Sequence, residues 1–140
     1  MSVKVIPYLM MNGNANDAIQ FYEQALNASV TTLVTYGDMP DFPSEDTSNL
    51  IAHAQLKVGE SLFMISDSPS TSPVQQGNQV TICISSTDPK KSERYFTALK
   101  QGGTVKMPFQ KTSFSDAYGS LVDKFGVTFL IDTEKQNANE

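Results

Sequence analysis

His53 is the one histidine among 140 residues. It stands in the alternating stretch IAHAQLKVGESLFMISD, residues 51–67. An imidazole can bind a transition metal, move a proton near neutral pH, or simply hydrogen-bond a neighbour. A single histidine with no partner nearby in sequence favours a binding or structural hydrogen bond over metal ligation. Cys83 is the one cysteine. A nucleophilic thiolate needs a helix N-terminus or a fixed cation beside it, and neither is legible there; the plain alternative is a small buried apolar residue. Asp38, Asp41, Glu45 and Asp46 crowd one loop. Their spacing lacks the glycine and terminal glutamate of a calcium loop, so solvated charge is expected. Met10, Met11 and Met64, with Phe109, Phe114, Tyr118 and Phe129, would either wall a pocket for a flat hydrophobic ligand or form ordinary core. No phosphate-binding loop, dinucleotide fingerprint or nucleophile elbow is present.

These residues sit on elements that the apolar spacing predicts. Residues 3–11 read as a strand, with Pro7 at an edge or a gap because it cannot donate to a ladder. Asn14 is the expected N-cap of a helix whose face is Ala15, Ala18, Ile19, Tyr22, Ala25 and Leu26. A β-branched strand follows over 28–36, and residues 37–48 are loop. Strands at about 49–57 and 61–66 form a hairpin at VGES. Residues 68–78, rich in Ser, Pro and Gln, read as a linker. The order then repeats. A strand over 79–87 leads to Asp88 as N-cap and Pro89 at the first helical position. Ser92, Tyr95, Phe96 and Leu99 make that helix's face, and Gly102-Gly103 stops it. Strands at about 104–110, 116–122 and 127–132 precede a polar tail. Shifting the first helix by 73 residues superimposes Tyr22, Ala25 and Leu26 on Tyr95, Ala98 and Leu99. The repeated order of elements is the stronger sign of an internal repeat. The expected organisation is one domain over 1–140: a module over 1–67, a linker over 68–78, a second module over 79–133 and a tail over 134–140.

Composition bounds what such a domain does. At 39% hydrophobic and 18% charged residues, the chain is globular rather than disordered. The net charge of -5 and the lack of a Lys/Arg cluster argue against nucleic acid as a partner. No apolar run spans a bilayer, so no membrane partner is expected, and the N-terminus lacks a signal-peptide pattern. One cysteine precludes an intramolecular disulfide and fits a reducing compartment; a cytoplasmic location is expected.

Three stretches taken in order, YLMMNGNANDAIQFYEQAL, AHAQLKVGESLFMISD and DAYGSLVDKFGVTFLI, resemble the PhnB-like branch of the vicinal-oxygen-chelate superfamily, which includes glyoxalase I, bleomycin-resistance proteins and extradiol dioxygenases. The resemblance covers roughly residues 3–132. It implies an α+β fold of two βαβββ modules forming a curled mixed sheet around a cavity, commonly in a homodimer. It also implies, for the enzymes of the superfamily, a divalent metal held by His, Glu or Gln from four strands and acting as a Lewis acid. Carried over residue by residue, those four positions are Pro7, Met64, Thr81 (or Ile82 with a one-residue slip) and Leu130. None is a competent ligand for such a metal. No metal and no other cofactor is therefore expected. Sequences of this branch are also described as demethylubiquinone methyltransferases, but no nucleotide-type cofactor motif is visible here.

Within that fold the strand alternation sets Ala52, Ala54 and Leu56 against His53, Gln55 and Lys57. The small apolar set suits a helix, which leaves His53 and Gln55 for the cavity. The expected cavity residues are His53, Gln55, Met64, Thr81, Cys83, Phe114 and Phe129. Phe114 lies in a Ser-rich loop where the family usually has an aromatic and would close the cavity mouth. The expected function is metal-free binding of a small molecule. The alternatives are a lyase- or dioxygenase-type enzyme with a metal held by non-standard groups or with His53 as base, and a cavity filled by its own side chains.

Overall fold

The computed structural model describes residues 2–39, 48–68 and 74–135. The chain divides into two compact units, Met1–Gln75 and Gln76–Glu140, each strand–helix–strand–strand–strand. The first comprises β1 (Tyr8–Met11), α1 (Ala15–Ala25), β2 (Ser29–Thr35), β3 (Ile51–Val58) and β4 (Ser61–Asp67), with a 3-10 turn at Tyr36–Asp38. The second comprises β5 (Ile82–Ser86), α2 (Pro89–Leu99), β6 (Thr104–Gln110), β7 (Tyr118–Val122) and β8 (Thr128–Thr133). Their sheets have the same order, β1-β4-β3-β2 and β5-β8-β7-β6. In each, the first strand pairs parallel with the last and the other pairs are antiparallel. The repeat is thus one of topology. β-Bulges, which add local twist, fall in β2 (at Thr31) and β3 (at Ala52) of the first unit and in β6 of the second.

Each helix packs on its own sheet. On α1 the buried residues are Ala15, Ala18, Ile19, Tyr22 and Ala25, the three-and-four spacing of one face. Opposite them Met11, Ala54, Leu56, Phe63 and Ile65 are all under 9% exposed. Asn27, just past the helix, takes the left-handed conformation (φ 53°) that ends many helices. On α2, Asp88 accepts from the Lys90 N–H at 3.0 Å, Pro89 opens the helix, and Ser92, Phe96 and Leu99 are buried. Gly119 of β7 is required by packing, because a Cβ there would stand 2.8 Å from the Phe96 ring and 2.9 Å from the Phe109 backbone.

The start of α1 departs from the reading of the sequence. Asn14 makes no side-chain cap; its Oδ1 accepts from Asn12 N–H instead. The Ala15 N–H donates 2.9 Å to Oδ1 of Asp67, at the far end of β4. Asp67 Oδ2 accepts from the Ile51 N–H at 2.8 Å, and its carbonyl accepts from Tyr36 Oη at 3.0 Å. This carboxylate is 1% exposed and ties α1, β3 and β4 together, meeting donors that a helix start leaves without partners.

Three strands are shorter than their β-rich sequences. Val3 and Val5 are 90% and 97% exposed, so β-branched character has no partner there and pairing begins after Pro7. β5 pairs only over Ile82–Ser86. Before β7, Thr112 Oγ1 accepts from the N–H groups of Phe114 and Ser115, and the buried Ser115 hydroxyl reaches the carbonyls of Ala117 and Thr133. That turn uses up residues 112–117 before the strand starts.

Candidate functional site

One face of each sheet meets its helix, and register identifies the residues of the other. In the first unit Tyr8 pairs with Met64, Met64 with Gln55, and Gln55 with Thr32. These four form a row across all four strands, because directly paired residues share a face. Met10 pairs with Ser66, and His53 lies two residues from Gln55; both belong to the same face. Leu9, Met11, Ala54, Leu56, Phe63 and Ile65 alternate with them on the helix side.

His53 meets Tyr8. The phenol oxygen is 3.4 Å from His53 Nδ1, and the rings are 6.0 Å apart and tilted by 38°. His53, Gln55 and Met64 are half-buried, whereas Tyr8 and Met10 are 46% and 44% exposed. The Ser66 hydroxyl, 3% exposed, donates to Met10 Sδ at 3.3 Å. The sheet thus presents an imidazole, an amide and a phenol between two thioethers. Such a surface offers a few orienting hydrogen bonds within an apolar wall.

The sequence reading missed Tyr8. Pro7 and Met64 were carried over as the family's first and second ligand positions, but the register partner of Met64 is Tyr8. Pro7 precedes the strand and contributes only its carbonyl, which accepts from the Met64 N–H. Alternation from Met10, already a pocket candidate, would have found Tyr8.

In the second unit Cys83 pairs with Leu130, and Leu130 with Ser120, on the face away from α2. Thr81 is exposed and lies one residue before β5. Phe114 is 62% exposed and stands edge-on to Tyr118 at 4.9 Å; Tyr118 pairs with Asp132 on the Cys83 face. Phe129 is a correction. It pairs with Ile82 and Leu121 and is 2% exposed. Alternation with Leu130 puts it in the core on the helix side, where it cannot line an open face.

The titratable groups narrow the chemistry. Partial desolvation pushes the Cys83 thiol above its ordinary value, and the Asp132 carboxylate raises it further, which favours the unreactive thiol. Asp38 accepts from the Thr35 N–H at 3.1 Å. Hydrogen bonds from the Thr35 backbone and hydroxyl hold its carboxyl below the usual range, so it serves as a local cap. Asp41, Glu45 and Asp46 lie outside the described residues.

A divalent metal does not fit these donors. Among the described residues no three His, Cys, Asp or Glu side chains converge, and the His53 face offers no carboxylate. Met64 and Leu130 do lie on open faces, but one supplies a thioether and the other no donor at all.

Comparison with known proteins places this architecture. The model of the 3-demethylubiquinone-9 3-methyltransferase family matches residues 3–132. The chain belongs to that family. The Escherichia coli K12 protein YjdN is 30% identical over 145 residues, covering 96% of this chain and 97% of YjdN. The crystal structure of PA1353 from Pseudomonas aeruginosa superimposes with a TM-score of 0.88 at 32% identity, covering 96% of this chain and all (100%) of PA1353. The PhnB protein of Bacillus cereus shares the fold with a TM-score of 0.78 at 23% identity, over 94% of this chain and 99% of its own. This is therefore a PhnB-like protein of the vicinal-oxygen-chelate superfamily, with the α+β glyoxalase/bleomycin-resistance fold. No helix among its described residues is long and apolar enough to cross a membrane.

Proposed function

We propose that this PhnB-like protein binds a small, flat, largely apolar molecule without a metal, and that the helix-free face of the first sheet is its seat. The observation that carries the reading is the Tyr8–His53 contact, on the same face as Gln55, Met64 and Met10. Hydrogen-bonding groups that are only half-buried, among thioethers, suit the orientation of a ligand. Lewis-acid catalysis of the superfamily's usual kind needs hard donors, and Met64 and Leu130 are not such donors. The family's description names a methyl transfer. That chemistry needs a methyl-donor site, and no cofactor motif is legible in this sequence. Cys83, Phe114 and Tyr118 form a secondary face whose raised thiol suits contact rather than attack. A homodimer, in a cytoplasmic setting, is part of the same proposal. It is supported by the open edges of each sheet, where Leu33, Val105 and Met107 are 42–52% exposed.

The test joins two measurements. The fluorescent probe 8-anilinonaphthalene-1-sulfonate should bind metal-stripped protein at about one equivalent, and chelator should leave the melting temperature unchanged. One equivalent of Zn, Ni, Fe or Mn per chain after dialysis, with a lower melting temperature in chelator, overturns the reading.

A further inference from the structure

If the Tyr8–His53 face is the ligand seat, as proposed above, its polarity follows from the protons of these two residues. A neutral imidazole holds one proton, and the hydrogen bond at one nitrogen decides which. Tyr8 Oη lies 3.4 Å from Nδ1 and is the only hydrogen-bond partner of the His53 ring among the described residues. A phenol donates more strongly than it accepts, and an unprotonated ring nitrogen is a good acceptor. With the O–H turned to Nδ1, the imidazole proton sits on Nε2.

The geometry points to Tyr8 as the positioning residue that makes His53 a hydrogen-bond donor, and hence to a ligand that presents an acceptor oxygen of the carbonyl class. The neighbouring groups agree. The Ser66 proton is engaged by Met10 Sδ and is not offered to a ligand. Gln55 shares the face and can either donate or accept, so it tolerates a carbonyl without selecting it. Ser66 and Tyr8, their protons engaged, are left as acceptors, so His53 is the group on this face that a neighbour fixes as a donor. A ligand with a donor at that point would leave two N–H groups facing each other, and a desolvated group without a partner costs affinity.

One histidine in 140 residues makes the test direct. Nitrogen-15-labelled histidine gives two ring resonances, both from His53. Recorded well above the pH at which imidazoles titrate, the wild type should show a pyridine-like Nδ1 and a pyrrole-like Nε2, far apart in shift. In Tyr8→Phe the two should draw together as tautomers mix. Loss of packing alone would not do this, and circular dichroism verifies that the variant folds. The second arm compares 1-indanone, which carries a carbonyl, with indole, which is of similar size and carries an N–H. Wild type should prefer indanone, and both Tyr8→Phe and His53→Ala should lower that preference about two- to tenfold. An Nδ1–H tautomer in the wild type, identical spectra in Tyr8→Phe, or equal binding of the two probes overturns the inference. If the anilinonaphthalene probe still binds in those cases, the ligand seat stands and only the tautomer assignment falls. If no probe binds metal-stripped protein, the seat itself is wrong.

Discussion

Asp67→Ala should be among the most destabilising single changes in the first unit. Asp67 is 1% exposed and accepts two backbone N–H groups, from Ala15 at 2.9 Å and Ile51 at 2.8 Å. Hydrogen bonds to a charged group contribute about 1.5–3 kcal/mol each, and a carboxylate at a helix start adds about 0.3–1 kcal/mol. Removing it also strands both donors away from water. The expected loss is about 4 kcal/mol, a large part of the roughly 5–15 kcal/mol that holds an ordinary domain. Asp67→Asn keeps one acceptor oxygen and should lose about 2 kcal/mol by the same reckoning. Asp88→Ala is the comparison. It removes one exposed cap bond, to the Lys90 N–H, and should cost about 1 kcal/mol. The chain has no tryptophan, so urea unfolding followed by far-ultraviolet circular dichroism is the assay. Equal losses for Asp67→Ala and Asp88→Ala would show that the carboxylate is not the tie between α1, β3 and β4. The consequence reaches the site, because Ile51 begins the strand of His53 and Asp67 ends the strand of Met64.

Other outcomes follow from the same geometry. His53→Ala should leave the fold intact at a cost of about 1 kcal/mol or less, since the ring is half-buried and its contact with Tyr8 is long. The anilinonaphthalene probe should bind that variant about 1–3 kcal/mol more weakly, and unchanged affinity would remove His53 from the site. Cys83 should react with iodoacetamide more slowly than a free cysteine at pH 8, because its raised pKa keeps it protonated there. Asp132→Asn should speed the reaction modestly, since it removes the smaller of the two causes; a rate above that of free cysteine contradicts the assignment. Light scattering at micromolar concentration should give a dimer, and a mass near 15.3 kDa contradicts the proposed homodimer.

What the sequence disclosed depended on how local the physics was. Helix α2 was legible at both ends because Asp88, Pro89 and the two glycines act within a turn of where they stand. The cap of α1 was not, because Asp67 lies 52 residues from Ala15 and only folding brings them together. Alternation placed His53 and Gln55 opposite Ala54 and Leu56. Applied as strictly to β8, it separates Phe129 from Leu130, since neighbours on a strand cannot share a face. The length of β1 was overread because Val3 and Val5 have strand character without a partner strand. Tyr8 was missed for the related reason that register is a property of two strands, and Met64 selects its partner only in the folded sheet.

The measurement that bears most directly on the central claim is an amide chemical-shift titration of metal-stripped protein with 8-anilinonaphthalene-1-sulfonate, in chelator. The largest shifts should fall at Tyr8, Met10, His53, Gln55 and Met64, on one face of the first sheet. Shifts that appear only after a divalent metal is added, or that centre on residues outside that face, would refute metal-free binding at that seat.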